Sequence, residues 1–457
     1  MGWRRVLSRG YVGPTTKERP SKQVVSLAVP AFLTLIAEPL FLLVDSSIVG
    51  HLGTTELAAL GVAGTILGTV VGLCIFLAYG TTAAVARAVG AGNARRALHL
   101  GVDGMWLAIA VGLGLILAIE VAAPWLVEPF GTGTAVATDA LAYLRIAAVG
   151  LPGLLVAMAS TGIFRGVADT RTPLVITVAG QSLNVVANLL LVYGVGDWRG
   201  FGLNGSAMGT LLAQTLTGLG FAGVVFRIAR REQASVRPDW RGVRASGSAS
   251  GPLIVRTLTL RIALLLTALV ASGFGPAQLA AHQVAMNVWN LLALSLDAVA
   301  IAAQTLTGQS LGAGDVVHVR AVTRFMMRWG VISGSVLGLA LAATHEVIPL
   351  AFTDDPTVRS MLAGVLLIEA VWQPLNGLVF VLDGVLIGAG DARYLAVVGI
   401  VTLIVFLPLL TVVWWFDAGL GWLWWSYGAY MLSRGVTLVL REHSTAWLRV
   451  GGDLHVQ

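Results

Sequence analysis

Displaced by 222 residues, the chain aligns with itself without a gap at the positions hardest to replace. Pro30 falls on Pro252, Gly53 on Gly275, Leu57-Ala58-Ala59 on Leu279-Ala280-Ala281, and Gly90-Ala91-Gly92 on Gly312-Ala313-Gly314. Phe130 falls on Phe352, Pro152 on Pro374, and Gly166, Asp169 and Arg171 on Gly388, Asp391 and Arg393. Special backbone positions recurring in register mean a fold made of two copies of one plan, each with the same turns.

The composition says what each copy is made of. Of 457 residues, 56% are hydrophobic and only 11% charged, against about 25% charged in soluble proteins. This is an integral membrane protein. Apolar runs of spanning length, about 20 residues, begin near residues 24, 57, 97, 134, 172 and 203, and again near 252, 279, 321, 359, 392 and 419. The expected fold is all-α, with twelve transmembrane helices in two six-helix repeats. Six is even, so both halves start from the same side and form parallel repeats around a central cavity, a recurrent transporter plan. The expected divisions are a tail at 1–22, an N-lobe at 23–228, a linker at 229–251, a C-lobe at 252–441 and a second tail at 442–457. The linker is charged and rich in Ser and Gly, as a connection between halves should be.

A net charge of +6 suggests nucleic acid until its distribution is read. With the N-terminus inside and each run crossing once, 23 of the 29 basic residues fall on the inner side. Six are in the N-terminal tail and six in the 227–250 connection. This is the positive-inside pattern, so the expectation is a multi-pass protein of the plasma (inner) membrane with both termini cytoplasmic and no nucleic-acid partner. The first apolar run is too long for a cleaved signal peptide. The single cysteine, Cys74, excludes an internal disulfide and a Cys-based metal site.

The repeated motifs read as scaffold. Each Gly-Ala-Gly ends a span in a turn where glycine tolerates positive φ, and Asp169 and Asp391 are placed to cap the following helices. Trp414, Trp415, Trp422, Trp424 and Trp425 read as an interfacial aromatic belt.

Residues that do not repeat carry the functional information. The first span holds Glu38 and Asp45, seven residues apart and so on one helical face, with Pro30 and Pro39 interrupting its backbone ladder; Pro39 is a candidate hinge. A carboxyl group at membrane depth costs roughly 2.5–3.5 kcal/mol on insertion scales and faces a partner or a cavity. In the eighth span Gln283, Asn287, Asn290, Asp297 and Gln304 form one polar face. In the tenth, Glu369, Asn376 and Asp383 are each seven apart, with Gln373 beside them. In the fifth, Gln181, Asn184 and Asn188 share a face; in the sixth, Ser206, Thr210 and Gln214 do. Interhelical hydrogen bonds of about 0.6 kcal/mol each account for isolated Ser, Thr and Gln residues, but not for carboxylates. In the seventh span Arg256 is placed to snorkel to the inner face. Arg261 lies deeper, a candidate to neutralise a C-half carboxylate.

Glu-Pro…Asp-Ser…Gly-His-Leu-Gly at 38–53, Ala-Ala-His-Gln at 280–283, Leu-Asp-Gly-Val-Leu-Ile-Gly-Ala at 382–389 and the paired Gly-Ala-Gly turns resemble the MATE (multidrug and toxic compound extrusion) family. The fit is best to its DinF-like branch, which includes plant organic-acid exporters. The resemblance implies an antiporter that exports a small organic, often cationic and amphipathic, solute in exchange for H⁺ or Na⁺; the expectation is a monomer with no cofactor, working by alternating access. It places a coupling site in the N-half at Asp45, Asn184, Asn188 and Thr210, and leaves Glu38, Gln181 and Gln214 as cavity residues there. Gln283, Asn287, Asn290, Asp297, Gln304, Asn376, Asp383 and Arg261 are the corresponding candidates in the C-half. Some relatives carry Asp at the position of Asn188, so Asp45 is here the sole carboxylate of the N-half cluster, which favours H⁺ over Na⁺.

Two readings of the same fold compete: an organic-acid exporter, and a lipid-linked oligosaccharide flippase, which calls for cationic cavity walls. A membrane enzyme needs clustered metal ligands or a nucleophile–His pair, and the seven histidines form no ligand pair at metal spacing. A purely structural subunit has no need of polar faces in several helices.

Overall fold

The computed structural model describes residues 20–131 and 133–452. The tail expected at 1–22 lies outside the described residues except for its last three, which open the first helix; residues 453–457 lie outside as well. The described residues are helical almost throughout. In chain order the helices are α1 (Pro20–Gly50), α2 (Thr54–Leu73), α3 (Phe76–Gly90), α4 (Ala94–Val127), α5 (Thr134–Ala148), α6 (Leu151–Gly166), α7 (Arg171–Tyr193) and α8 (Leu203–Arg231). They continue as α9 (Trp240–Gly273), α10 (Pro276–Gly312), α11 (Val316–Thr344), α12 (Pro356–Gly388), α13 (Ala392–Trp415) and α14 (Gly419–His443).

Among the described residues ten stretches are long and apolar enough to cross a bilayer, with α2 and α3 counting as one. The pair α5–α6, bent by 50°, adds an eleventh. The twelfth, α14, has 25 residues, about 37 Å at 1.5 Å per residue, and is less apolar because it carries Arg434, Arg441 and Glu442. These are the twelve spans the sequence anticipates. Pro30 and Pro39 do not break α1, which is helical throughout. The unsatisfied carbonyls that a membrane proline creates are tolerated where neighbours re-satisfy them.

The chain divides into two compact units, Leu33–Ser250 and a second one running from Gly251 that includes the start of α1 up to Phe32. Within each, the contacts that hold the helices together recur at the 222-residue offset. Gly92 (φ 73°) and Gly314 (φ 80°) are the left-handed ends of equivalent turns. Asn93 and Asp315 follow them, each accepting a backbone hydrogen bond that caps the next helix, from Arg96 and His318 at 2.9 Å.

Deeper in the membrane, glycines bring backbones into contact. A Cβ on Gly162 would lie 2.5 Å from the carbonyl oxygen of Ala78, and one on Gly384 would lie 2.3 Å from that of Ala300. Gly112 rides against Pro152 and Gly334 against Pro374 in the same way, with Cα atoms 2.6 and 3.0 Å from the missing Cβ positions. Small residues are what membrane helices use to approach, since lipid supplies no hydrophobic drive between them.

The 229–251 connection runs into the next helix. Residues 240–251 are the first turns of α9, and two of their small residues, Gly242 and Ser250, serve close packing. Gly242 sits against the Asp103 carboxylate, and Ser250 fills the notch left by Gly80. Trp106 Nε1 donates to the Val236 carbonyl at 3.1 Å, and Arg95 donates to that of Gln233. Nor is 442–452 a free tail: Trp447 is fully buried, and its Nε1 donates to the Glu442 carbonyl at 3.0 Å.

Two scaffold expectations need correction. Asp169 does cap α7, accepting from the backbone N–H groups of Arg171 and Thr172 at 3.2 and 3.1 Å. Its repeat partner Asp391 makes no such cap; it takes a two-point ion pair from Arg441, Nε at 2.7 Å and Nη2 at 3.2 Å. The guanidinium there also lies over the Tyr394 ring and competes for the carboxylate. In the aromatic belt Trp414, Trp415, Trp422 and Trp425 are exposed, but Trp424 is buried, its ring 5.8 Å from that of His282. A helix places residue 424 about 100° round from its neighbour, onto the packed face.

Candidate functional site

In the first unit four of the sequence-chosen residues meet. Asp45 on α1 and Asn188 on α7 are both buried, and Asn188 Nδ2 donates to Asp45 Oδ1 at 2.6 Å. Asn184, one turn earlier on α7 and also buried, stands between Asp45 and Thr210 of α8. Thr210 Oγ1 is 3.4 Å from one end of the Asn184 amide. The four-residue spacing on α7 makes this possible, since i and i+4 lie one above the other. Gly209 completes the arrangement. A Cβ there would fall 2.0 Å from Asn188 Oδ1, so only glycine lets α8 lie against that amide. Tyr143 of α5, buried, lies beside Thr210 and Ser206 within electrostatic reach of Asp45. Sequence reasoning missed Tyr143, because nothing in the periodicity of α5 marks it. α7 is tied to α1 once more by Tyr193, whose hydroxyl donates to the Ile48 carbonyl at 2.6 Å.

The Asn184 amide can present either end to Asp45. With its nitrogen there it donates to Oδ1 at 2.9 Å and to Oδ2 at 3.3 Å, which suits a charged carboxylate. Uncharged amide and hydroxyl groups thus surround the one acid.

The other first-unit candidates do not join this cluster. Glu38 and Pro39 are exposed, and Gln181 is half-buried. Gln214 is packed against Gly150, at the bend between α5 and α6.

In the second unit the structure redistributes the expected roles. Asp383 is buried and accepts from two guanidinium groups, Arg256 Nη2 at 2.7 Å and Arg434 Nη2 at 2.6 Å, both on Oδ2. Arg256 thus does not snorkel, and Arg261 is exposed and takes no part. A carboxylate at depth outbids the inner face for the nearer arginine, and Arg434 comes from α14, 51 residues away. Fixing three charges costs desolvation that only mutual pairing offsets, so this cluster reads as a clamp between α9, α12 and α14.

Glu369, Gln373 and Asn376 are buried on α12, and Gln373 Nε2 donates to Glu369 Oε1 at 3.2 Å. The polar face of α10 divides: Gln283, Asn287 and Asn290 are exposed, Asp297 is half-buried and Gln304 is buried. His282, beside that face, is fully buried.

Twelve helical spans in two repeats, with a carboxyl group at membrane depth held by amides, define a membrane transporter rather than an enzyme. The MatE family model matches residues 30–190 and again 252–412, two stretches that begin 222 residues apart. The chain belongs to the MATE family of transporters. It is similar to Protein DETOXIFICATION 44, chloroplastic, of Arabidopsis thaliana, with 32% identity over 82% of this chain and 73% of that protein. It is similar to the Thermotoga maritima protein called "Probable multidrug resistance protein NorM", with 23% identity over 84% of this chain and 83% of the other. Among solved structures the Vibrio cholerae MATE transporter VcmN superposes with a TM-score of 0.82 at 21% identity, covering 92% of this chain and 96% of that one.

Proposed function

We propose that this transporter is an antiporter: entry of a coupling cation, H⁺ in preference to Na⁺, drives export of a small amphipathic organic cation by alternating access. The observation that carries the reading is the buried Asp45 carboxyl, held by Asn188 and Asn184 on one helix and backed by Thr210 on the next. One carboxylate with neutral amides and a hydroxyl around it is a proton site, because hydrogen bonding adapts to either charge state. A Na⁺ site draws on more oxygen donors, and Asn188 turns a nitrogen to Asp45 where a second carboxylate would have turned an oxygen.

Coupling then needs only that the protonated and charged forms of Asp45 prefer different arrangements of α1, α7 and α8, or that proton and solute exclude one another. The exposed Gln283, Asn287 and Asn290 face of α10 is a fitting wall for solute, since amides at membrane depth belong in water-accessible space. The chain would then work as a monomer in the plasma membrane, with both termini in the cytoplasm.

The test is efflux of a fluorescent cationic dye from proteoliposomes under an imposed pH or Na⁺ gradient, for wild type and Asp45→Asn. Transport driven by the pH gradient and lost in the variant supports the reading. Dye transport that survives Asp45→Asn refutes it.

A second reading, export of organic acids, draws on the two arginines that share Asp383, Arg434 buried and Arg256 half-buried, an excess of positive charge suited to carboxylates. It predicts citrate-type anions, not dyes, as the transported species in the same vesicles.

A further inference from the structure

The connection between α8 and α9 carries a second, unassigned feature. Residues 227–244 hold six arginines, Arg227, Arg230, Arg231, Arg237, Arg241 and Arg244, against two acids, Glu232 and Asp239. All six arginines are exposed, and none is ion-paired among the described residues. At their centre Trp240 is 67% exposed.

This is an ordered surface. The elbow is pinned to α4 by Trp106 and Arg95, Val243 is buried beneath it, and Gly242 is seated on Asp103. The pins also fix its depth. Trp106 stands where α4 passes from its polar opening turns (Arg95, Arg96, His99, Asp103) to its apolar run, and Arg227 is the first charge after the apolar run of α8. Both helices therefore leave the hydrocarbon at the level of the elbow, in the headgroup layer, where tryptophan is favoured.

We propose that this elbow binds the headgroups of anionic phospholipids. Guanidinium groups engage phosphate through paired N–H donors, and juxtamembrane basic residues attract an anionic leaflet by about 1 kcal/mol each, close to fivefold in affinity per arginine. The arginines are spread along a helix end, an elbow and a helix start, flanking an exposed indole. That suits a row of lipids and not a single small anion. The inference does not depend on which solute or cation is transported.

The experiment is native mass spectrometry of the full chain in neutral detergent, titrated with phosphatidylglycerol and, separately, phosphatidylcholine. The wild type retains phosphatidylglycerol over phosphatidylcholine. Arg230→Gln/Arg231→Gln/Arg241→Gln weakens that retention about a hundredfold, the corresponding Lys variant restores most of it, and Trp240→Ala weakens it with no change of charge. An equal triple neutralisation elsewhere, Arg320→Gln/Arg324→Gln/Arg328→Gln, leaves it in place. Undiminished retention in the elbow variant overturns the proposal, as does equal loss in the control variant. Displacement of the lipid by millimolar inorganic phosphate also overturns it, since the surface would then be a free-anion site.

Discussion

Glycine 209 offers a way to disturb the Asp45 cluster without replacing any of its polar groups. In Gly209→Ala the new methyl would sit 2.0 Å from Asn188 Oδ1, 3.1 Å from its Cγ and 3.2 Å from its backbone nitrogen. The first contact is more than about 1 Å short of van der Waals separation. The amide is the end of a side chain, so it swings aside more cheaply than α8 withdraws. The hydrogen bond it gives Asp45 starts at 2.6 Å and does not survive such a displacement. A hydrogen bond to a charged group is worth about 1.5–3 kcal/mol, and 1.36 kcal/mol is a factor of ten. The donor lost is one that competes with the coupling cation for the carboxylate. The half-saturating cation concentration should therefore fall about tenfold or more, and turnover should drop as release slows. The assay is dye efflux from proteoliposomes across a series of imposed cation gradients. Gly223→Ala, on the same helix with nothing within 4 Å of its new methyl, controls for the extra methyl itself. Wild-type cation dependence in a folded Gly209→Ala protein would refute the steric argument and, with it, the importance of the Asn188 contact.

Other perturbations test the second unit and the scaffold. Asp383→Asn leaves two guanidinium groups, Arg434 buried and Arg256 half-buried, without their shared anion and should destabilise by about 3–5 kcal/mol, read as an early unfolding transition in detergent. Wild-type thermal stability with lost transport would instead make Asp383 a solute or coupling residue. Gly334→Ala drives a methyl to 2.2 Å from the Gln373 carbonyl oxygen and should cost about 1–3 kcal/mol by overpacking; the same thermal scan measures it. Trp447→Ala removes a fully buried indole and should cost about 3–5 kcal/mol, whereas removal of a free tail residue would cost nothing.

What could be read in the sequence follows from which interactions are periodic or repeated. The two halves, the twelve spans and the turns at Gly92 and Gly314 declare themselves because an offset of 222 residues places like on like. Asn184 and Asn188 were visible as one helical face, but their meeting with Asp45 and Thr210 came from the family resemblance. Pairings between distant helices stayed hidden. Arg261 looked deeper than Arg256 along the chain, yet helix rotation turns Arg256 inward to Asp383, and Arg434 gives no sign in sequence of joining them. Gly and Ser in the 229–251 stretch carried opposite meanings, flexibility and close packing, and only the neighbouring surface of Asp103 and Gly80 decides between them. Trp424 and His282 are buried for the same reason: rotation about a helix axis by one residue separates belt from core.

The duplicated glycine contacts have an experimental use. Gly112 with Pro152 and Gly334 with Pro374 are one steric arrangement set down in two chemical surroundings. A methyl added at each meets the equivalent proline Cα, at 2.6 and 3.0 Å, and at Gly334 it also meets the Gln373 carbonyl oxygen at 2.2 Å, so a difference between Gly112→Ala and Gly334→Ala reports that added contact together with what surrounds each joint. The chain carries its own replicate, and one pair of alanine variants can show whether a defect in transport belongs to a shared backbone joint or to the half of the molecule in which it is made.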